Sequence, residues 1–450
     1  MNILLFNPTI RENQVPYNFP AGLGIIASIM VQEGHNVSVY DQNALRTSND
    51  EVLRELSKFK NIDIIGIGGL VTTYSQIKSL IPIFRSLFKN AKIVLGGGVT
   101  IDPDLIFKNM DVDICVHGEG EHTFRILCNY IEGGRDDFSD IPGVSYIKNN
   151  ELFRTQPNIF EKDLNVFPMP AYNLFPSEIY FKNNVLKQMF SDLNTKSCAT
   201  LLWSRGCPNE CTYCWRMTGK ALRFRSMTLL MEEIEYLRSN YDVDSYLFYD
   251  ECINANRAKA LEFSSNLIKR GLSAPWYSHA RANNFDDEIA SMFFKSGCVG
   301  LNFGIESGSE KMLRAMKKNI NPVKAGAGIS IALRNHIKPN CTFIIGMPGE
   351  TRETVAESVK WIRKYKSRRN VFFFATPYPG CELYNEPIVQ KRIYEKYNNL
   401  DNYFSALGDA VDLTVNMTDL DDRQLIKLKI WAEKRSRGNF LKRKIKLFNK

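Results

Sequence analysis

Three cysteines stand in one short segment with spacing Cys-x3-Cys-x2-Cys: Cys207, Cys211 and Cys214. Three thiolates can ligate three irons of a cubane cluster. The fourth iron then has no protein ligand and is open to the amino and carboxylate groups of a small molecule. A zinc site would need a second close Cys/His pair, and Cys252, Cys298, Cys341 and Cys381 are isolated. A redox dithiol would use Cys211 and Cys214 and leave Cys207 surplus. The cubane is therefore the expectation, and the other seven of the ten cysteines read as buried thiols.

The elements that must position this segment alternate between strand and helix. Over residues 1–150, short apolar runs at 2–6, 37–40, 62–67, 93–95 and 114–116 read as strands, and 23–32 and 76–88 repeat apolar residues at helical spacing. Such alternation predicts a doubly wound α/β sheet, whose ligands sit at the carboxyl ends of the strands. Glycine-rich turns stand there: Gly68-Gly69, Gly96-Gly97-Gly98 and Gly118-Glu119-Gly120. Residues 151–195, with Pro157, Pro168, Pro170 and Pro176, read as a connector. Residues 196–385 repeat the alternation, with strands expected at 200–204, 245–249, 276–280, 300–305, 341–345 and 371–375. Consecutive βα units of that number predict a partial (β/α)6 barrel, with the cysteine segment at the carboxyl-end mouth after its first strand. Residues 386–450 read as a helical, basic carboxyl-terminal region.

With these motifs in order, the chain resembles the radical S-adenosylmethionine (SAM) superfamily, in its cobalamin-binding branch. The likeness covers most of residues 1–385. It implies a 4Fe–4S cluster held by Cys207, Cys211 and Cys214 that cleaves SAM reductively to a 5′-deoxyadenosyl radical. Tyr213 matches the aromatic position beside the SAM adenine. Asp250 and Glu251 match the contact to the SAM amino group. Glu306-Ser307 matches the ribose or methionine contact, and Gly346 to Glu350 the adenine-side loop. Arg281 suits the SAM carboxylate, and His279 lies near it toward the mouth. Each has a plainer structural reading: Asp250, Glu251 or Glu306 at a helix start, and Gly346, Pro348 and Gly349 as a turn.

The resemblance also makes the first sheet a cobalamin seat, carried by Gly22, Gly69, Gly97, Gly98, Gly118, Glu119 and Gly120. A corrin is broad, flat and largely apolar, and glycine turns offer it a flat seat with free N–H groups. No Gly-x-Gly-x-x-Gly follows the first strand and no phosphate-loop lysine motif is present, which disfavours dinucleotides and nucleoside triphosphates. One departure stands out. The cobalamin signature Asp-x-His-x-x-Gly is met here by Asp41-Gln42-Asn43-Ala44-Leu45-Arg46, with neither histidine nor glycine. His117 and His122 lie nearby and read as surface or packing residues.

With SAM and cobalamin together, the implied activity is methylation of an unactivated carbon of a biosynthetic intermediate. The alternatives are a cyclisation or rearrangement without net methyl transfer, or a non-catalytic corrinoid and cluster module. The implied partners are a small-molecule substrate and an electron donor such as flavodoxin or ferredoxin.

The formal charge of +9 comes from a dense run of Lys and Arg between Arg423 and Lys450, against the single acid Glu433. The remainder is close to neutral, so the charge says little about the mouth. In the run, Leu441, Ile445 and Phe448 share a helical face, which suits weak contact with a membrane surface. Base recognition is unsupported, so nucleic acid is not expected. No apolar run spans a bilayer, and the cysteines suit a reducing compartment. The expected location is the cytoplasm.

Overall fold

The computed structural model describes residues 1–12 and 14–436; the membrane-surface reading of Leu441, Ile445 and Phe448 lies outside them. Among the described residues the chain forms two large sheets and a two-stranded ribbon. The first sheet comprises β1 (Asn2–Asn7), β2 (Asn36–Asp41), β3 (Ile64–Gly68), β4 (Lys92–Gly96), β5 (Ile114–Val116), β6 (Val144–Lys148) and β7 (Glu151–Arg154), ordered β2-β1-β3-β4-β5-β6-β7. Strands β1 to β5 run parallel. Ile3, Leu4, Leu5 and Phe6 are all buried, because helices cover both faces of a parallel sheet. The β6–β7 hairpin is antiparallel and extends the sheet to Arg154, past the expected boundary at 150.

The second sheet holds β8 (Ala199–Leu201), β11 (Tyr246–Phe248), β12 (Trp276–Ala280), β13 (Cys298–Glu306), β14 (Lys338–Ile345) and β15 (Arg369–Phe374), ordered β15-β14-β13-β12-β11-β8. All pairs are parallel and β8 does not meet β15, so the barrel is open. The expected first strand at 200–204 is split. Ser204–Arg205 (β9) leaves the barrel and pairs antiparallel with Arg223–Phe224 (β10). Asp250 takes the Ser204 N–H and hydroxyl, and the Arg225 N–H donates to the Trp203 carbonyl. These bonds turn the chain out into a ribbon whose tip is the cysteine segment.

The expected connector is packed core. Phe167, Tyr172, Phe175, Tyr180 and Phe181 are buried in one cluster with residues of both sheets. Each such ring contributes on the order of 1.5–3 kcal/mol of burial, so the two sheets form one body. The carboxyl-terminal region ties them further. Asp401 accepts from Tyr74 and Lys78 on the helix Tyr74–Leu87 of the first unit, while the helix Asp422–Ser436 packs on β15 and the helix Arg352–Lys364. Among the described residues no helix is long and apolar enough to cross a membrane.

Candidate functional site

The cysteine loop begins at Gly206, whose φ of +92° suits glycine. A methyl group there would stand 2.0 Å from the Ala221 carbonyl oxygen. The loop closes on itself: Gly206 N donates to Thr218 Oγ1 (3.1 Å) and Cys207 N to the Gly219 carbonyl (3.2 Å). Thr212 ties it to the barrel by donating to the Met316 carbonyl (3.0 Å) and accepting from Leu383 N (2.8 Å). Cys214 is exposed and Cys207 half-buried; the other eight cysteines are buried, Cys211 among them. Burial pushes the Cys341 and Cys198 thiols up to about 12, which keeps them protonated. Among the described residues no three Cys, His, Asp or Glu side chains converge on a single ion. The three thiols of the loop stand on one short segment, and a cubane would take one of them on each of three irons.

Around the mouth, the structure separates residues that the sequence groups. Tyr213 accepts from Lys318 Nζ (3.1 Å), and the same amine is paired with Glu306 (2.9 Å) in a nearly closed site. Arg281 donates to the Lys318 carbonyl (2.7 Å). Tyr213, Glu306, Arg281 and Lys318 therefore form one constellation beside the cysteines. Lys318 has no motif to announce it. Glu251 accepts from Thr218 Oγ1 (2.6 Å) and stands on the cysteine loop itself.

Three expected SAM contacts turn inward instead. Asp250 is fully buried and its Oδ1 serves Ser204; its Oδ2 has no partner, and burial pushes its pKa to about 6. Ser307 is buried, meets Ser358 Oγ (3.3 Å) and accepts from Ser309 N. Glu350 is buried, accepts from Gly346 N (3.1 Å) and Thr354 Oγ1 (2.8 Å), and is pushed up to about 7 by burial. Gly346 and Glu350 thus brace the turn, with Gly346 at a φ of +101°. His279 accepts from Asn302 Nδ2 at 3.0 Å in the Nε2–H tautomer; burial lowers its pKa to about 4, so it is neutral.

On the first sheet, the turns after β3 and β4 lie against each other. A methyl at Gly97 (φ +81°) would stand 2.7 Å from the Gly69 carbonyl oxygen, and Gly69 itself has Thr73 Oγ1 where a side chain would go. Val15, Leu45 and Leu70, which follow β1, β2 and β3, are exposed apolar chains. Close-packed turns flanked by bare apolar chains fit a broad apolar ring.

The other expected corrin residues do not join them. Gly22 is exposed in the first turn of the helix Ala21–Gln32, with nothing within 4 Å of a methyl there. The turn at Gly118 to Gly120 is covered by the connector: Asn158 Nδ2 donates to the His117 (3.3 Å) and Glu119 carbonyls. Glu119 faces the cysteine ribbon. It accepts from Arg205 Nη1 (3.0 Å) and from Arg223 Nη1 and Nη2 (2.8 Å each), while Glu121 takes Arg205 Nη2 (2.6 Å). All four side chains are buried or nearly so. Burial raises the Glu119 pKa, but the two guanidiniums outweigh it and hold the carboxyl below its usual range. Arg205 and Arg223 face each other across β9–β10; their only sequence signal is their place on either side of the cysteines.

His117 uses both ring nitrogens, on Thr100 (3.2 Å) and Ser145 (2.7 Å), and His122 pairs with Glu161 (2.9 Å). Asp41 accepts from Asn7, Tyr180 and Ala44 N, and Asn43 is engaged by Ile10 N and Tyr180.

An open six-stranded barrel with a three-thiol loop at its mouth, set against glycine turns of a doubly wound sheet, defines an enzyme that pairs an iron–sulfur cluster with a corrinoid. Two family models match: "Radical SAM superfamily" over residues 201–362 and "B12 binding domain" over 13–128. An uncharacterized methyltransferase of Pyrococcus horikoshii is 30% identical over 390 residues, covering 85% of this chain and 82% of that protein. The anaerobic magnesium-protoporphyrin IX monomethyl ester cyclase of Rubrivivax gelatinosus is 25% identical over 413 residues, 88% of this chain and 72% of the cyclase. In fold, the chain is similar to the radical SAM methyltransferase TsrM of Kitasatospora setae, solved with cobalamin and a 4Fe–4S cluster bound. The TM-score is 0.72 at 18% identity, over 88% of this chain and 75% of TsrM. The chain belongs to the radical SAM superfamily, in its B12-binding branch, and it is an enzyme whose cofactors are a 4Fe–4S cluster, SAM and cobalamin.

Proposed function

We propose that this protein methylates an unactivated carbon of a small-molecule biosynthetic intermediate. One observation carries the reading: a methyl at Gly98, on the corrin-side turn, would stand 2.8 Å from Trp215, the residue after Cys214. The corrin-side turn and the cysteine loop touch there, which supports two cofactor seats side by side and one substrate meeting both. When bound, the cluster supplies the electron that cleaves SAM and cobalamin supplies a methyl carrier, which together reach a carbon that has no nucleophilic lone pair.

In this reading Cys207, Cys211 and Cys214 hold the cluster. Tyr213, Glu251, Arg281 and Glu306 orient SAM, with Lys318 holding Glu306 and Tyr213 in place. Gly69, Gly97 and Gly98 form the corrin turn. An electron donor such as flavodoxin or ferredoxin would supply the reducing electron. Thiols and an oxygen-labile cluster suit the reducing cytoplasm. The relative that is a cyclase supports a second reading, ring closure without net methyl transfer.

Anaerobic reconstitution with cobalamin, SAM, reductant and candidate substrate fractions separates the two. Methyl transfer yields S-adenosylhomocysteine together with 5′-deoxyadenosine; deoxyadenosine alone, with product formed, replaces the first reading by the second. Cys211→Ala abolishes deoxyadenosine, and its persistence overturns the cluster assignment.

A further inference from the structure

Beyond that reading, and whichever reaction is run, we propose that Trp215 is a positioning residue coupling the two cofactor seats, so that corrin binding and cluster assembly strengthen each other. The indole is held between two glycines from different units. A methyl at Gly98 would stand 2.8 Å from Trp215 Cζ3 and 3.1 Å from Met217 Sδ. A methyl at Gly380, which follows β15 at a φ of +96°, would stand 2.8 Å from Trp215 Cδ2, Cε2 and Nε1. The six-membered edge of the indole thus closes on the corrin-side turn while its pyrrole side rests on the barrel. A corrin seated on the turn at Gly97 and Gly98 would lie beside that edge, and the indole would give it an apolar wall.

Trp215 is covalently next to Cys214, so a shift of the indole moves a cluster ligand. The rest of the loop cannot absorb the shift, because its ends are clamped: Arg205 and Arg223 hold Glu119 at 2.8–3.0 Å on the first sheet. The cysteine segment is fixed to the corrin-binding sheet at both the ribbon and the indole. A contact that orders the loop for one cofactor orders it for the other, and such coupling is reciprocal by linkage.

The test is the dissociation constant of hydroxocobalamin, by anaerobic equilibrium dialysis, for the full chain without its cluster and after cluster reconstitution. The wild type binds about tenfold tighter with the cluster present. In Trp215→Leu the two constants agree within about twofold. Gly98→Ala, whose methyl displaces the indole, shows the same loss while retaining the tryptophan, and it carries the test should Trp215→Leu fail to fold by circular dichroism. A wild type with no cluster dependence overturns the proposal, as does either folded variant that keeps the tenfold ratio.

Discussion

Replacing Glu119 by Gln removes one charge from a closed group of four. Glu119 accepts three hydrogen bonds, one from Arg205 and two from Arg223. Arg205 retains Glu121 at 2.6 Å, whereas Arg223 retains the carbonyls of Glu161 and Thr218 and the Phe160 ring but no carboxylate partner among its hydrogen bonds. The loss therefore falls on Arg223, one of the most enclosed guanidiniums of the chain at 6% side-chain exposure. Leaving a buried charge without its partner costs about 3–5 kcal/mol, against about 0–1 kcal/mol for an exposed pair. Urea unfolding at pH 7 is expected to show the larger loss, as a lower midpoint with an unchanged slope. Glu119→Gln with Arg223→Met is expected to recover part of it, since the orphaned charge is gone. The pH dependence has a definite sign. The Glu119 pKa is depressed in the folded state, so its contribution is full above the ordinary carboxylate range and is lost as pH falls through the folded value. The gap between wild type and Glu119→Gln should be flat near neutrality and close only in acid. A loss of about 1 kcal/mol or less at pH 7 would refute the view that this group is a sealed latch between the sheets.

Gly206→Ala places a methyl 2.0 Å from the Ala221 carbonyl at a φ of +92°, and strain of about 1–2 kcal/mol adds to the clash. Iron and sulfide analysis after anaerobic reconstitution should show the cluster content at least halved, and full content would contradict the role given to this turn. For Glu350→Gln the sign is opposite to that of Glu119. Burial raises the folded pKa to about 7, so the wild type loses stability as pH climbs from the ordinary carboxylate value toward neutrality. Denaturation at pH 5 and pH 8 should find the variant gaining on the wild type by about 2–3 kcal/mol across that interval; a difference independent of pH would show that the carboxyl is not held in its protonated form.

The cysteine spacing, the strand–helix alternation and the open barrel were legible in the sequence because each is local. Thiols a few residues apart must share a loop, and runs such as 3–6 or 276–280 declare their own burial. The barrel strand at 276–280 matches β12 residue for residue. What the sequence could not order was the direction of side chains that lie close to one another in the chain. Asp250 and Glu251 are neighbours, yet Asp250 turns into the wall to hold Ser204 while Glu251 stands on the cysteine loop. Both follow the end of β11, where regular alternation no longer applies, and only the packed neighbours decide which of the two faces the mouth. Glu119 follows a glycine and reads by sequence as part of a corrin turn, but two arginines roughly a hundred residues away claim its carboxylate. Lys318 likewise acquires its place only when the segment after β13 folds back over Tyr213. Sequence alone determined which groups this protein carries for cluster, SAM and corrin chemistry. The tertiary structure decided which of them are buried against partners and which stand beside the cysteine loop, because buried charges take partners wherever the fold presents them, at any distance along the chain.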